Sequence, residues 1–242
     1  MADPLAPLVD LAGVREAVAS ARDRADAAMR HRALRRQGGQ VAAEVSLRSA
    51  VASAALEGYG YEREAVRAGT VTDPVVQGAL RVAGALGGLA ERWSTASRQV
   101  LARVHVLAGR DLLDEASLGR PATPSPRLDA LMDLVAGGTS ASPLVVAAVV
   151  HGELLALRPF AGPSGVVARA AARLTLVASG FDPRGLLAVE VGHLAREPEY
   201  VGAANAFATG TPDGLRAWLR HYAAAVEAAA LDLEEAASVI AA

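Results

Sequence analysis

Residues 151–180 read HGELLALRPFAGPSGVVARAAARLTLVASG. An apolar helical run stops at Pro159, because a proline pushes the residue before it out of the helical region. A loop over 159–165 follows, and a second helical run, which Ser164 can cap, ends at Gly180. Backbone N–H groups at the start of that second helix, together with the positive end of its dipole, form the layout of an anion-binding loop. Gly165 lets an anion approach closely. Arg169 lies about one turn inside the helix, and Arg173, four residues on, shares its face. The same layout also describes a plain structural cap. Between Arg158 and Arg169 there is no His, Asp, Glu or Lys, so the loop lacks the usual proton acceptors and metal ligands.

The pattern on both sides is helical. Ser142-Pro143 opens the run PLVVAAVVHGELLALR, which is apolar on nearly every side and therefore expected at the centre of the fold. Downstream, Asp182-Pro183 is expected to cap a helix to about 195. A short helix fits about 197–208, and Thr211-Pro212 opens a long last helix to about 238. Upstream, helices fit about 10–37, 40–57, 61–68, 74–91 and 94–108. The connector GRDLLDEASLGRPATPSPRLDA carries Pro121, Pro124 and Pro126, and Ser125-Pro126 opens a helix over 126–136. Aromatic residues are only 4% of the chain, and no long stretch alternates as a strand would. The reading is all-α: one unit with an N-terminal helical extension.

Composition narrows the function classes. The 242 residues are 52% hydrophobic, with a formal net charge of -2 and no cysteine. Near-neutral charge argues against a general nucleic-acid binder. The absence of cysteine removes disulfides, thiolate zinc sites and thiol nucleophiles, and fits a cytoplasmic protein. No apolar run is long enough for a membrane span, and the N-terminus has no signal-peptide pattern. All 24 basic residues are arginine, which reflects either anion recognition or the coding bias of a GC-rich bacterial genome. His105, His193 and His221 stand isolated in the sequence. His151, two turns before Arg158, reads as a buried hydrogen-bonded side chain, and Trp218 with Tyr222 at i+4 reads as core.

The 151–180 stretch resembles the signature of the Fic (Fido) family. That signature is a loop His-Pro-Phe-x-Asp/Glu-Gly-Asn-Gly-Arg-x-x-Arg preceded by a helix of the form His-x-x-Leu. Pro159, Phe160, Gly165 and Arg169 match at the family spacing, as do His151 and Leu154. Further along, GFDP and YVGAANAFATGTPDGLRAWLRHYAAAVE are also similar to the family, and the resemblance spans roughly residues 90–235. A second match, SAALEG from Ser53 to Gly58, resembles the family's inhibitory helix, whose glutamate reaches the last arginine of the loop. The resemblance therefore implies a Fic-like helical core over 90–242. It also implies an N-terminal helical region over 1–90 that contains the inhibitory-type helix at about 40–58, with Glu57 set against Arg169.

The departures fall on the family's chemistry. The resemblance makes the loop histidine the general base, but Arg158 stands there, and a guanidinium cannot accept a proton. Gly162 replaces the magnesium-binding acid, so Mg²⁺ is not expected. Pro163 brings no N–H donor, Ser164 replaces the asparagine, and Val166 replaces the first phosphate-binding arginine. The connector over 109–125 looks too short and proline-rich for the family's β-hairpin flap. The leading expectation is a catalytically dead Fic-fold protein that acts by binding a protein partner. The alternative is a nucleotidyl or phosphoryl transferase with altered chemistry, using ATP or a related nucleotide, in which Arg158 stabilises charge. A third reading makes the fold a packing module of a homo- or hetero-oligomer.

Overall fold

Helix α9 (Pro143–Leu157) forms the centre, with Leu144 through Gly152 and Leu154 all buried. The computed structural model describes residues 3–122 and 125–242; Pro124 lies outside them. Among the described residues there are thirteen helices and no strand. Helix α10 (Ser164–Ala178) packs most extensively on α9, and α12 (Glu197–Ala208), α8 (Pro126–Val135) and α13 (Pro212–Ala241) also lie against it. Gly152 of α9 faces the ring of Phe207 on α12, where a β-carbon would collide.

The 30-residue α13 ties the ends of the chain together. It packs along α2 (Val14–Ala28), α3 (Ala33–Arg36), α4 (Gly38–Ala55) and α11 (Val189–Ala195), as well as α9 and α12. Arg48 on α4 is buried and donates to Asp232 on α13 at 2.6 Å and to Glu44 at 2.8 Å. A buried guanidinium held by two carboxylates fixes how these helices meet, since removing either partner would leave charge uncompensated. The N-terminal region is further closed by α6 (Pro74–Ala90), which packs on α4, α10 and α7 (Ser97–Gly109). Short helices α1 (Ala6–Val9) and α5 (Arg63–Arg67) complete the set.

Gly192 of α11 sits directly on the backbone of Ala225 in α13. A methyl group there has only rigid main chain to push against. Gly192→Ala is expected to cost about 1–3 kcal/mol of stability as an overpacking substitution, read as a lower urea midpoint, whereas Gly202→Ala, where the added carbon meets open space, should leave the midpoint unchanged or raised.

Several terminal expectations hold. Ser125 accepts from the N–H of Leu128, and Thr211 from that of Gly214. Others are corrected. The expected helix over 10–37 breaks after Ala28 into α2 and α3 through successive tight turns at Met29–Arg32. The turn lets α3 and α4 reach α13, and no glycine or proline marks it. Asp182-Pro183 does not cap a helix, because α11 begins only at Val189. Asp182 is buried and folds the intervening turn, its carboxylate accepting from the N–H groups of Leu186 at 2.9 Å and Leu187 at 2.8 Å. Ser142 and Ser164 stand at helix starts, but neither side chain makes a capping bond.

Candidate functional site

The site is built where the C-terminal end of α4 meets the start of α10. Glu57 and Gly58 follow the last turn of α4, Gly58 taking the left-handed conformation at φ +92° that suits glycine. Arg169, only 3% exposed, points from α10 to that end. Its Nη2 donates to Glu57 Oε1 at 2.7 Å and to the backbone oxygen of Ser53 at 2.8 Å. Its Nε donates to Ser53 Oγ at 3.0 Å, and Nη1 donates to the hydroxyl of Tyr200 at 3.3 Å. The guanidinium is thus satisfied on every nitrogen, as burial demands. The Glu57 carboxylate lies over Gly165, where even one added carbon would clash with it. It occupies the position an external anion would take at the helix start.

The loop itself is shaped from beneath. His105 on α7 donates from Nε2 to the oxygen of Ala161 at 2.9 Å. Its Nδ1 accepts from Gly119 at 3.0 Å, which sets a neutral tautomer, and its ring stacks on Phe160 at 4.6 Å. Burial pushes the His105 pKa down, in keeping with that tautomer. The connector after α7 crosses the loop: Ala122 donates to the oxygen of Pro159 at 2.8 Å, and the Leu113 side chain rests against Gly162. No strand forms in the described part of this connector.

Arg158 ends α9, its N–H donating to the oxygen of Leu154 at 3.0 Å. Among the described residues it is the one non-glycine residue with positive φ, at +44°, a left-handed conformation costing roughly 1–2 kcal/mol. Its side chain is exposed and makes no hydrogen bond or ion pair among the described residues.

Below Arg169 lies a cluster the sequence did not reveal. Tyr200 Oη is 3.1 Å from His151 Nε2, and His193 Nδ1 is 3.0 Å from His221 Nε2. His221 Nδ1 lies 3.3 Å from Glu199 Oε1, too poorly aligned for a full hydrogen bond. The rings of His151, His193, Tyr200, Trp218 and Tyr222 pack on one another. Burial pushes His151 and His193 well below the ordinary imidazole range, and the charge of Arg169 adds to it. His193 and His221 are therefore not isolated, because packing of α11 against α13 brings them together. His151 is buried and hydrogen-bonded, and Trp218 and Tyr222 are core.

No family model matches the sequence, and no curated protein matches it. Solved structures do. A Fic family protein from Desulfovibrio desulfuricans G20 superposes with a TM-score of 0.71 at 24% identity, over 96% of this chain and 76% of that one. Fic-1 (residues 134–508) from C. elegans superposes with a TM-score of 0.73 at 21% identity, over 97% of this chain and 75% of that one. The chain has the Fic fold.

Within the Fic fold, the structure brings Ser53, Glu57, Gly165 and Arg169 together. It does not place Arg173 with them. Arg173 is buried, donating from Nη1 to Ser49 Oγ at 2.6 Å and from Nη2 to the oxygen of Gly185 at 2.8 Å, so it is not a second anion ligand at the loop. The shared helix face was right, but Ser49, one turn before Ser53 on α4, claims the guanidinium. Ser164 uses its N–H on Gly162 at 2.7 Å. The loop does not fit Mg²⁺, because Gly162 supplies no oxygen side chain and faces leucine methyls, whereas that ion requires carboxylate or similar oxygens. No group of three or more His, Asp or Glu among the described residues has metal-site geometry. No helix among them is long and apolar enough to cross a membrane.

Proposed function

We propose that this chain is a Fic-fold protein without nucleotidyl transferase activity, working by binding a protein partner with its loop closed by Glu57. The observation that carries the reading is Arg158. At the position the resemblance gives to the general base stands an exposed guanidinium that has no lone pair for a proton at any working pH. Loss of a general base costs about 10²–10⁴ in rate, and here the magnesium carboxylate is missing from the same loop. What persists serves shape: Phe160 on His105, Pro159 bonded to the connector, and Glu57 on Arg169.

The test is transfer of labelled AMP from ATP, in the presence of Mg²⁺, to the protein itself and to a bacterial lysate. Neither the wild type nor Glu57→Gly, which removes the carboxylate over Gly165, should label anything. Label appearing with either form, above a control without the protein, would overturn the proposal.

A second reading, a nucleotidyl or phosphoryl transferase with altered chemistry, draws on one observation: the Arg158 guanidinium is exposed and unpaired among the described residues, as a group waiting for anionic charge would be. Calorimetry decides. Micromolar ATP affinity in Glu57→Gly, weakened by Arg158→Ala, would favour this reading over the first.

A further inference from the structure

One face of α4 carries Ala42, Ser46, Ser49 and Ser53, at intervals that return to the same side of a helix, and Glu57 follows just beyond the helix end. The C-terminal end of this face grips Arg169. Its N-terminal end, about 16 Å from Ser53 at 1.5 Å per residue, walls an open cavity of about 490 Å³ between α4, α6, α10 and the turn at Pro183–Gly185. That volume lies within the range of small-ligand sites, about 300–1,000 Å³. On the α6 side the wall includes Gly84 and Gly87. Neither glycine is required by a close contact within the chain, since a β-carbon at either would meet open space. Glycine inside a helix is unfavourable, and here it keeps the cavity wide.

The polar groups on these walls are Ser46, Glu91, Ser94, Arg173 and Arg184. Arg173 is 3% exposed, and its Nε has no hydrogen-bond partner. It also walls a second cavity, of about 10 Å³, lined by Ser49, Ser53, Val166 and Glu190, where Glu190 Oε2 is likewise unpartnered. That space matches one water molecule. Arg173 thus stands between an open cavity and the serines that hold both arginines of α10 to α4. Arg184 is exposed at the mouth and contacts the oxygen of Leu34 at 3.2 Å. Glu190 lies 3.8 Å from Arg173 and Glu91 lines the rim, so the two cations are balanced by two carboxylates. The walls therefore suit a ligand that offers an oxyanion to the arginines and a hydroxyl or ammonium to Glu91.

We propose that this cavity binds a small oxyanion carrying such a donor, between Arg184 and Arg173, and that occupancy loosens Glu57 from Arg169 by drawing Arg173 off Ser49. Ser49 and Ser53 lie on consecutive turns of α4, and Arg173 and Arg169 on consecutive turns of α10, so the two bonds join the same pair of helices side by side. Opening of the loop is then governed from the far end of α4.

The test uses the full chain with two probes, glycerol 3-phosphate and L-glutamate, which separate a phosphate from a carboxylate source. Calorimetry should show one saturable site for one of them. Arg184→Ala should weaken it about tenfold or more, as loss of a charge-assisted bond does, and Arg158→Ala should leave it unchanged. Hydrogen exchange of the Glu57, Gly58 and Tyr59 amides, which close the α4 end, should quicken several-fold with the bound probe. The proposal is overturned if neither probe binds saturably, if Arg184→Ala binds as well as the wild type, if Arg158→Ala abolishes binding, or if exchange at these amides does not change. None of these readouts involves AMP transfer, so failure here leaves the proposed function standing, and the reverse also holds.

Discussion

Lowering the pH from about 7.5 to about 5.5 is expected to cost the fold roughly 3 kcal/mol, at about 1.4 kcal/mol for each of two buried histidines. His151 and His193 are both held well below the ordinary imidazole value, first by burial and then by neighbouring positive charge. The folded state keeps them neutral while the unfolded chain protonates near 6.5. Between those two values the unfolded state binds more protons, so stability is full above about pH 6.5 and falls as the pH drops below it. His221 and His105, lowered by burial, act in the same direction. Asp182 and Asp232, raised by burial, act in the opposite one. Urea titrations at the two pH values measure the difference, and equal stability at both would show that the three-histidine cluster is not packed as described.

Arg169→Ala is expected to be among the most damaging single changes, at about 3–5 kcal/mol, the range for breaking a buried charged pair. It strips partners from the Ser53 hydroxyl, the Ser53 carbonyl, the Glu57 carboxylate and the Tyr200 hydroxyl at once. Arg169→Lys keeps the charge but cannot span four acceptors, so it should fall between the two. A cost below about 1 kcal/mol for Arg169→Ala would mean that the bonds of Arg169 do not hold α4 to α10, leaving that contact to apolar packing and to Arg173 on Ser49. A double-mutant cycle with Glu57→Gln isolates the pair: the two residues touch, so their effects should not add.

The fold was legible where local chemistry punctuates the chain. Ser125-Pro126 and Thr211-Pro212 open helices with their side chains in the capping role, and the uniformly apolar run after Pro143 is the buried centre. Asp182-Pro183 carries the same signal and misleads, because the carboxylate is spent on the turn before the helix begins. The loop at 158–169 was recognisable from its residues, and Glu57 against Arg169 was anticipated only through resemblance, since nothing in the spacing of positions 112 residues apart links them. The histidine cluster was illegible for the same reason: His151, His193 and His221 come from three helices and meet only after packing. Arg173 shows the opposite failure. Helical periodicity gave its face correctly, but periodicity is silent about which neighbour lies opposite.

The pairing of α2 with α13 bears on how this chain comes into being. α2 ends at Ala28 and α13 starts at Pro212, so on a ribosome adding about 5–20 residues per second α2 waits roughly 10–40 s for its partner. During that interval its alanine-lined inner side has no permanent cover, and native closure must bridge the roughly 180 residues between the two helices, a long-range pairing of the kind that slows folding. Nascent chains stalled before Pro212 are therefore expected to recruit holding chaperones, and release should coincide with emergence of α13.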